Sequence, residues 1–185
     1  MADGFETADT EETLTCLHIT VFHPEQEKKQ VFQALPFYKR QQLKVDELIK
    51  FGRNCNICRF NFEDAQVSRI QFALELFRPF GSSEFVFEIK NLSKRVKLFV
   101  NNVELAYFNK FILPERCLVH FGDYQLLMQK QDGQSENYFE ISFDMSKTSL
   151  WQETLSLWTP IPESSIPYTT SAVEIDENEY MGKSQ

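Results

Sequence analysis

Long apolar runs are missing from this sequence. A helix that crosses a bilayer needs about 20 consecutive apolar residues, so no membrane span is expected. The opening stretch, MADGFETADTEET, is acidic and has no apolar segment, so it is not expected to be a secretory leader. Cysteine is sparse: Cys16, Cys55, Cys58 and Cys117 are too few for a disulfide scaffold and read as reduced thiols of a cytoplasmic protein. Basic residues are outnumbered, 19 against 27 acidic, for a net charge of −8. That balance argues against nucleic acid or an anionic membrane as partner. No glycine-rich phosphate loop, HExxH or GxSxG motif is present. The three histidines, His18, His23 and His120, fall on or beside expected strands, where a structural role is the common one. The chain is therefore expected not to be an enzyme and to hold no cofactor.

What is present is a core. Hydrophobic residues make up 42% of 185 residues and aromatics 14%, with 18 phenylalanines. Such a composition favours sheets and one domain. Alternation from Thr13 marks a first strand, VFQAL (31–35) a second, and 48–53 a third. Residues 38–45 are polar and read as loop. The stretch 66–80 reads as one strand with a bulge near Ser68, and Phe85, Phe87 and Ile89 alternate strictly. Residues 97–107 read as a hairpin turning on Asn101-Asn102, and 117–130 and 138–144 supply the last strands. The expectation is all-β, about eleven short strands, with the spacing of a sandwich.

The ends differ from the middle. Acidic residues crowd 1–12 and 174–179, while Arg53, Arg59, Arg69, Lys90, Lys94, Arg95 and Lys97 cluster between them. The expected organisation is an acidic tail at 1–12, a domain at 13–145, and a disordered tail at 146–185 rich in Pro, Ser and Thr. Trp151 and Trp158 interrupt that tail and are expected to dock on the sandwich or on a second subunit.

Two constellations carry chemistry. Cys55-Asn56-Ile57-Cys58 has the spacing of half a zinc knuckle, but a second pair is absent, so no metal is assigned. Gly52-Arg53, Ser68-Arg69 and Asn91 fall at the ends of successive strands, which places them in neighbouring loops. A guanidinium forks onto two oxygens of a phosphate ester, a hydroxyl donates to a third, and an amide can pin the peptide backbone.

These residues resemble the forkhead-associated (FHA) domain pattern of G-R, S-R-x-H, N-x-S and V-N-G. The matching residues are Gly52-Arg53, Ser68-Arg69, Asn91-Leu92-Ser93 and Val100-Asn101-Asn102. The pattern's histidine is Gln71 here, and its last glycine is Asn102. The resemblance covers 48–105 by motif and implies an eleven-strand sandwich over 13–145. It implies phosphothreonine binding by Arg53 and Ser68, with Asn91 holding the peptide and Arg69 and Lys90 flanking. In this family the histidine braces the binding loop.

The flanks resemble those of FHA adaptors that join a bacterial-sugar-sensing α-type protein kinase to TRAF-type ubiquitin ligases and NF-κB signalling in innate immunity. That likeness implies a regulatory phosphorylation at Thr10, within Asp9-Thr10-Glu11-Glu12, and a TRAF-binding motif carried by Glu174 and Glu177, with Ala172 at the motif's proline. It implies that the phosphorylated tail of one copy enters the pocket of another, so that the chain is its own partner. A sandwich scaffold with no phosphate dependence is the alternative reading. A hydrolase or sugar binder of the same fold lacks a convincing carboxylate pair.

Overall fold

The computed structural model describes residues 11–154. The chain runs β1 (Thr15–Phe22), α1 (Gln26–Lys29), β2 (Gln41–Lys44), β3 (Ile49–Gly52), β4 (Phe60–Asn61), β5 (Phe72–Phe77), β6 (Val86–Asn91), β7 (Leu98–Val100), β8 (Val103–Leu105), β9 (Lys110–Ile112), β10 (Arg116–Phe121), β11 (Tyr124–Gln131), β12 (Tyr138–Met145) and α2 (Trp151–Thr154). Seven strands form one sheet, in the order β2-β12-β1-β11-β10-β7-β8, and five form the other, β4-β3-β5-β6-β9. Pairing is antiparallel except for β1 with β12 and β3 with β4. The all-β sandwich expected from the alternation is what forms, with strands of few residues and short turns.

The inner faces meet over aromatic rings. Phe60 packs on Phe143 at 4.8 Å between centroids and Phe87 on Phe139 at 5.6 Å, each pair crossing from one sheet to the other, while Phe62, just past β4, packs on Phe121 at 5.7 Å. Edge-to-face and tilted geometries dominate, as the ring quadrupole favours. The phenylalanine excess in the sequence is thus the cement between sheets. At the β7–β8 turn Asn101 and Asn102 take φ of 47° and 63°, the left-handed conformation that asparagine tolerates. Asn101 Oδ1 also accepts the Leu118 N–H at 2.9 Å, tying that hairpin to β10.

Three local expectations fail and one strand was not foreseen, each for an identifiable reason. Residues 31–35 form turns, not a strand; Val31, Phe32 and Leu35 are buried as plugs from a loop. Residues 41–44 are an edge strand on β12 instead of loop, invisible to periodicity because only Leu43 is buried. No strand runs from 66 to 71; Val67 is buried from a loop and pairing begins at Phe72, so the slip read as a bulge is a loop entering a strand. β9 is short, on a sheet edge and largely exposed, and left no alternating signature.

Order also continues past residue 145. Ser146 N–H donates to the Val21 carbonyl at 2.9 Å, and Leu150 is completely buried against Leu118, Leu127 and Phe22 on the outer face of the seven-stranded sheet. Gln125 Oε1 accepts the Leu150 N–H at 2.7 Å and the Ser149 hydroxyl at 3.1 Å. Trp151 then stands edge-on to His120 at 4.8 Å, and His120 stacks on Phe99 at 4.6 Å. The docking expected of Trp151 is therefore seen, while Trp158 lies outside the described residues.

The sandwich has two poles. One holds the C-terminal ends of β3 and β6, the start of β5 and the β10–β11 turn. Tyr124 next to that turn donates its hydroxyl to Asp64 Oδ2 at 2.9 Å. At the other pole β1 begins, with the Thr13 carbonyl accepting the N–H groups of Gln134 and Ser135 at 2.7 and 3.0 Å. β1 has eight residues, so the poles lie about 25 Å apart along it.

Candidate phosphate-binding pocket

At the first pole an open cavity of about 790 Å³ is lined by Arg53, Ser68, Arg69, Ile70, Leu92, Ser93, Lys94, Arg95 and Tyr107. Four segments build it: the exit of β3, the 62–71 loop into β5, the β6–β7 loop, and the β8–β9 connection that brings Tyr107. β3 ends on Gly52 because nothing larger fits, since a Cβ there would lie 2.4 Å from the Arg69 carbonyl oxygen. The chain then crosses under the second loop. Arg53 and Asn54 N–H groups donate to the Ser68 and Arg69 carbonyls, both at 3.0 Å.

The 65–69 carbonyls are taken up in succession. Arg95 Nη2 donates to Gln66 O at 2.7 Å and to Ala65 O at 3.4 Å; Arg53 Nε donates to Val67 O at 3.0 Å. Cys58 Sγ donates to Arg69 O at 3.2 Å. Asp64 starts this loop. Burial alone would raise its carboxyl, but bonds from the Gln66 N–H and the Tyr124 hydroxyl, with the charges of Lys29 and His23, hold it below the usual carboxylate range. Two arginines thus serve double duty: their guanidinium groups order the loop and still present positive charge to the cavity.

Ser68 is held from two sides. Its N–H donates to Gln71 Oε1 at 3.2 Å, and its Oγ lies 2.6 Å from Ser93 Oγ. Gln71 is fully buried, so the position of the family histidine keeps its bracing role with a different side chain. Its Nε2 has no hydrogen-bond partner among the described residues. An arginine, a hydroxyl and three further cations line one open cavity, a donor set chemically suited to bidentate, charge-assisted bonds with an anion.

The FHA domain family matches residues 49–122, a span that contains every loop of this pocket. Over 95% of this chain and 98% of the relative, the sequence is 50% identical to human TRAF-interacting protein with FHA domain-containing protein A. The Xenopus tropicalis protein of the same name is 44% identical over 93% of this chain and 96% of its own. The chain belongs to the TRAF-interacting protein with FHA domain family. The B-type member of mouse is 29% identical over 76% of this chain and 92% of its own. Among solved structures, an FHA domain from Arabidopsis thaliana aligns with a TM-score of 0.45 at 17% identity, covering 68% of this chain and 91% of that one.

Within this FHA-family chain, the site residues expected from sequence divide. Arg53, Ser68 and Arg69 come together in the pocket. Asn91 does not face it: the side chain is buried, donates from Nδ2 to Leu105 O at 2.8 Å, and accepts the Ser93 N–H at 3.0 Å. Asn91 thus spends one N–H and one lone pair on backbone groups and shapes the loop that carries Ser93. Lys90 alternates to the outer face of β6, where its Nζ lies 4.3 Å from the Phe108 ring centroid, and it does not line the pocket. Thr10, Glu174 and Glu177 lie outside the described residues.

Sequence reasoning passed over Ser93, Lys94, Arg95 and Tyr107 as site residues. The signal was present in the N-x-S motif and in the basic cluster at 94–97, but a cluster on a solvated loop reads as ordinary charge until the loop is placed. Tyr107 carries Lys94 Nζ at 5.0 Å from its ring centroid. Phe108, beside it, is held at φ 69°, rare for a bulky side chain. No group of three or more His, Cys, Asp or Glu that would hold a metal occurs among the described residues, and none of their helices is long and apolar enough to cross a membrane.

Proposed function

We propose that this pocket binds phosphothreonine peptides and that the chain is a non-catalytic, cytoplasmic signalling adaptor. The observation that carries the reading is the convergence of Arg53, Ser68, Arg69, Lys94 and Arg95 on one open cavity. A phosphate monoester brings nearly two negative charges and three acceptor oxygens. Arg53 would clamp two oxygens and Ser68 would donate to a third, while Lys94 and Arg95 would favour acidic residues beside the phosphothreonine.

The ligand is the chain's own Thr10, followed by Glu11 and Glu12. Geometry supports engagement between copies. Thr13 is fixed at the pole opposite the pocket, and three residues extend at most about 10 Å, against roughly 25 Å along β1. A phosphorylated Thr10 therefore fills the pocket of a neighbour. Such a head-to-tail contact propagates where it does not close. Assemblies present many copies of the 172–177 segment, so that weak binding of Glu174 and Glu177 to a TRAF-type ubiquitin ligase becomes avid. The kinase is of the α type, and the output is NF-κB signalling in innate immunity. The relatives' name, TRAF-interacting, supports the ligase as partner.

Calorimetry with a Gly4–Cys16 peptide tests the pocket. The peptide phosphorylated at Thr10 is expected to bind in the micromolar range and the unmodified one not at all, with Arg53→Ala lowering affinity by at least about 100-fold. Equal binding of both peptides would replace this reading with a phosphate-independent scaffold. Assembly is tested by light scattering. The phosphorylated chain should grow large, whereas phosphorylated Arg53→Ala mixed with unphosphorylated Thr10→Ala should stop at small complexes.

A further inference from the structure

The Cys55–Cys58 pair is not absorbed by the reading above, yet it abuts the phosphate loop. Ile57 and Cys58 N–H groups both donate to the Asn54 carbonyl, at 3.2 and 2.9 Å, so residues 54–58 make one helical turn. Positions three apart on such a turn have Cβ atoms about 5–6 Å apart, close to the roughly 4 Å a disulfide needs. Cys55 is exposed and Cys58 buried. The Cys58 thiol is the donor that, with the Asn54 N–H, holds the Arg69 carbonyl. Burial keeps this thiol protonated, pushing it above its ordinary range.

We propose that Cys55 and Cys58 form a reversible disulfide under hydroperoxide, and that its formation loosens the Ser68–Arg69 loop and weakens phosphopeptide binding. The effect on the ligand rests on the phosphothreonine reading of the pocket; the effect on the loop does not.

The chemistry balances with one peroxide. The Cys55 thiolate attacks one oxygen of hydrogen peroxide, the S–O bond forms as the O–O bond breaks, and the departing hydroxide takes up one proton to leave as water, giving a sulfenic acid. Cys58, having lost its proton, attacks the Cys55 sulfur; the S–S bond forms and the S–O bond breaks, releasing a second water. Two thiols are oxidised and one peroxide is reduced. To reach Cys55, the Cys58 sulfur must turn away from Arg69 O, and it no longer carries a proton to donate. Arg69 O then keeps only the Asn54 N–H.

The test treats the full-length protein with stoichiometric hydrogen peroxide. Mass spectrometry should show a loss of two hydrogens mapping to a Cys55–Cys58 link, reversed by dithiothreitol. Amide exchange over 67–71 should speed up, and affinity for the phosphorylated Gly4–Cys16 peptide should fall about three- to tenfold. Cys55→Ser should abolish all three changes. Cys58→Ser keeps a hydroxyl donor for Arg69 O, so it should bind peptide normally and resist peroxide. Absence of the link, or a link that leaves exchange and affinity unchanged, would overturn the proposal. Should the reduced protein fail to bind the phosphopeptide, the function proposed for the pocket falls, while mass and amide exchange still decide the disulfide.

Discussion

Ser68 Oγ and Ser93 Oγ stand 2.6 Å apart, joining the loop before β5 to the loop after β6. Ser93 Oγ already accepts the Val96 N–H at 3.0 Å, so its own proton is available to Ser68. Donation in that direction leaves the Ser68 proton free for a phosphate oxygen. On the proposed reading, Ser93 positions the hydroxyl that would meet the phosphate.

Ser93→Ala should lower phosphopeptide affinity about five- to tenfold, because Ser68 loses its orienting partner and Val96 its acceptor. Ser68→Ala should cost more. Titration of the double variant should show less than the sum of the two losses, since the pair acts as a unit.

Gly52→Ala should damage stability and binding together. The added methyl would meet Arg69 O at 2.4 Å and the Ile70 Cα at 2.9 Å, and backbone on both sides cannot swing aside. A loss of about 1–3 kcal/mol is expected in urea unfolding, with the phosphate loop displaced.

Asn91→Ala separates loop shaping from peptide holding. Both of its hydrogen bonds go to backbone, so the buried Ser93 N–H and Leu105 carbonyl would be left unpaired at about 1–3 kcal/mol each. Stability and affinity should fall in parallel. Affinity lost at unchanged stability would restore Asn91 as a peptide contact.

Leu150→Ala should destabilise the domain by about 2–4 kcal/mol, since Leu150 is fully buried against Leu118, Leu127 and Phe22. Ending the chain at Met145 should cost at least as much. Urea midpoints of the full chain and the shortened one check this.

Acid should destabilise the unliganded domain through His23. Burial holds its imidazole below the ordinary 6.5, and its Nδ1 accepts the Glu25 N–H at 3.0 Å, which requires the neutral ring. The unfolded chain thus binds a proton first. Stability present above pH 6.5 is lost as pH falls from there through the depressed folded value. His120 is depressed by burial too and adds in the same direction. Melting temperature between pH 7.5 and 5 should fall, and less so in His23→Gln.

Legibility followed burial pattern. β6 and the Asn101-Asn102 hairpin were readable because alternation and turn chemistry are local properties of a few adjacent residues. Arg53 and Ser68 were readable through motif residues that the fold gathers. β2 and β9 were not, because edge strands bury too little to leave an alternating trace. The buried Val31, Phe32 and Val67 misled for the opposite reason: hydrophobic residues of a loop can plug a core without joining a sheet.

By itself the amino-acid order determined a β-sandwich with an aromatic core, a basic middle, and the FHA motif residues Arg53, Ser68 and Asn91 at the ends of successive strands. Only the tertiary structure decided which way each side chain faces. It turned Asn91 inward and Lys90 outward on adjacent positions of β6, brought Lys94 and Arg95 to the pocket, and set Leu150 against Leu118 and Leu127. The physical reason is that alternation specifies two faces without naming them. Which face is core, and which loops share a pole, follows from the pairing of strands distant in sequence, such as β1 with β11 and β12.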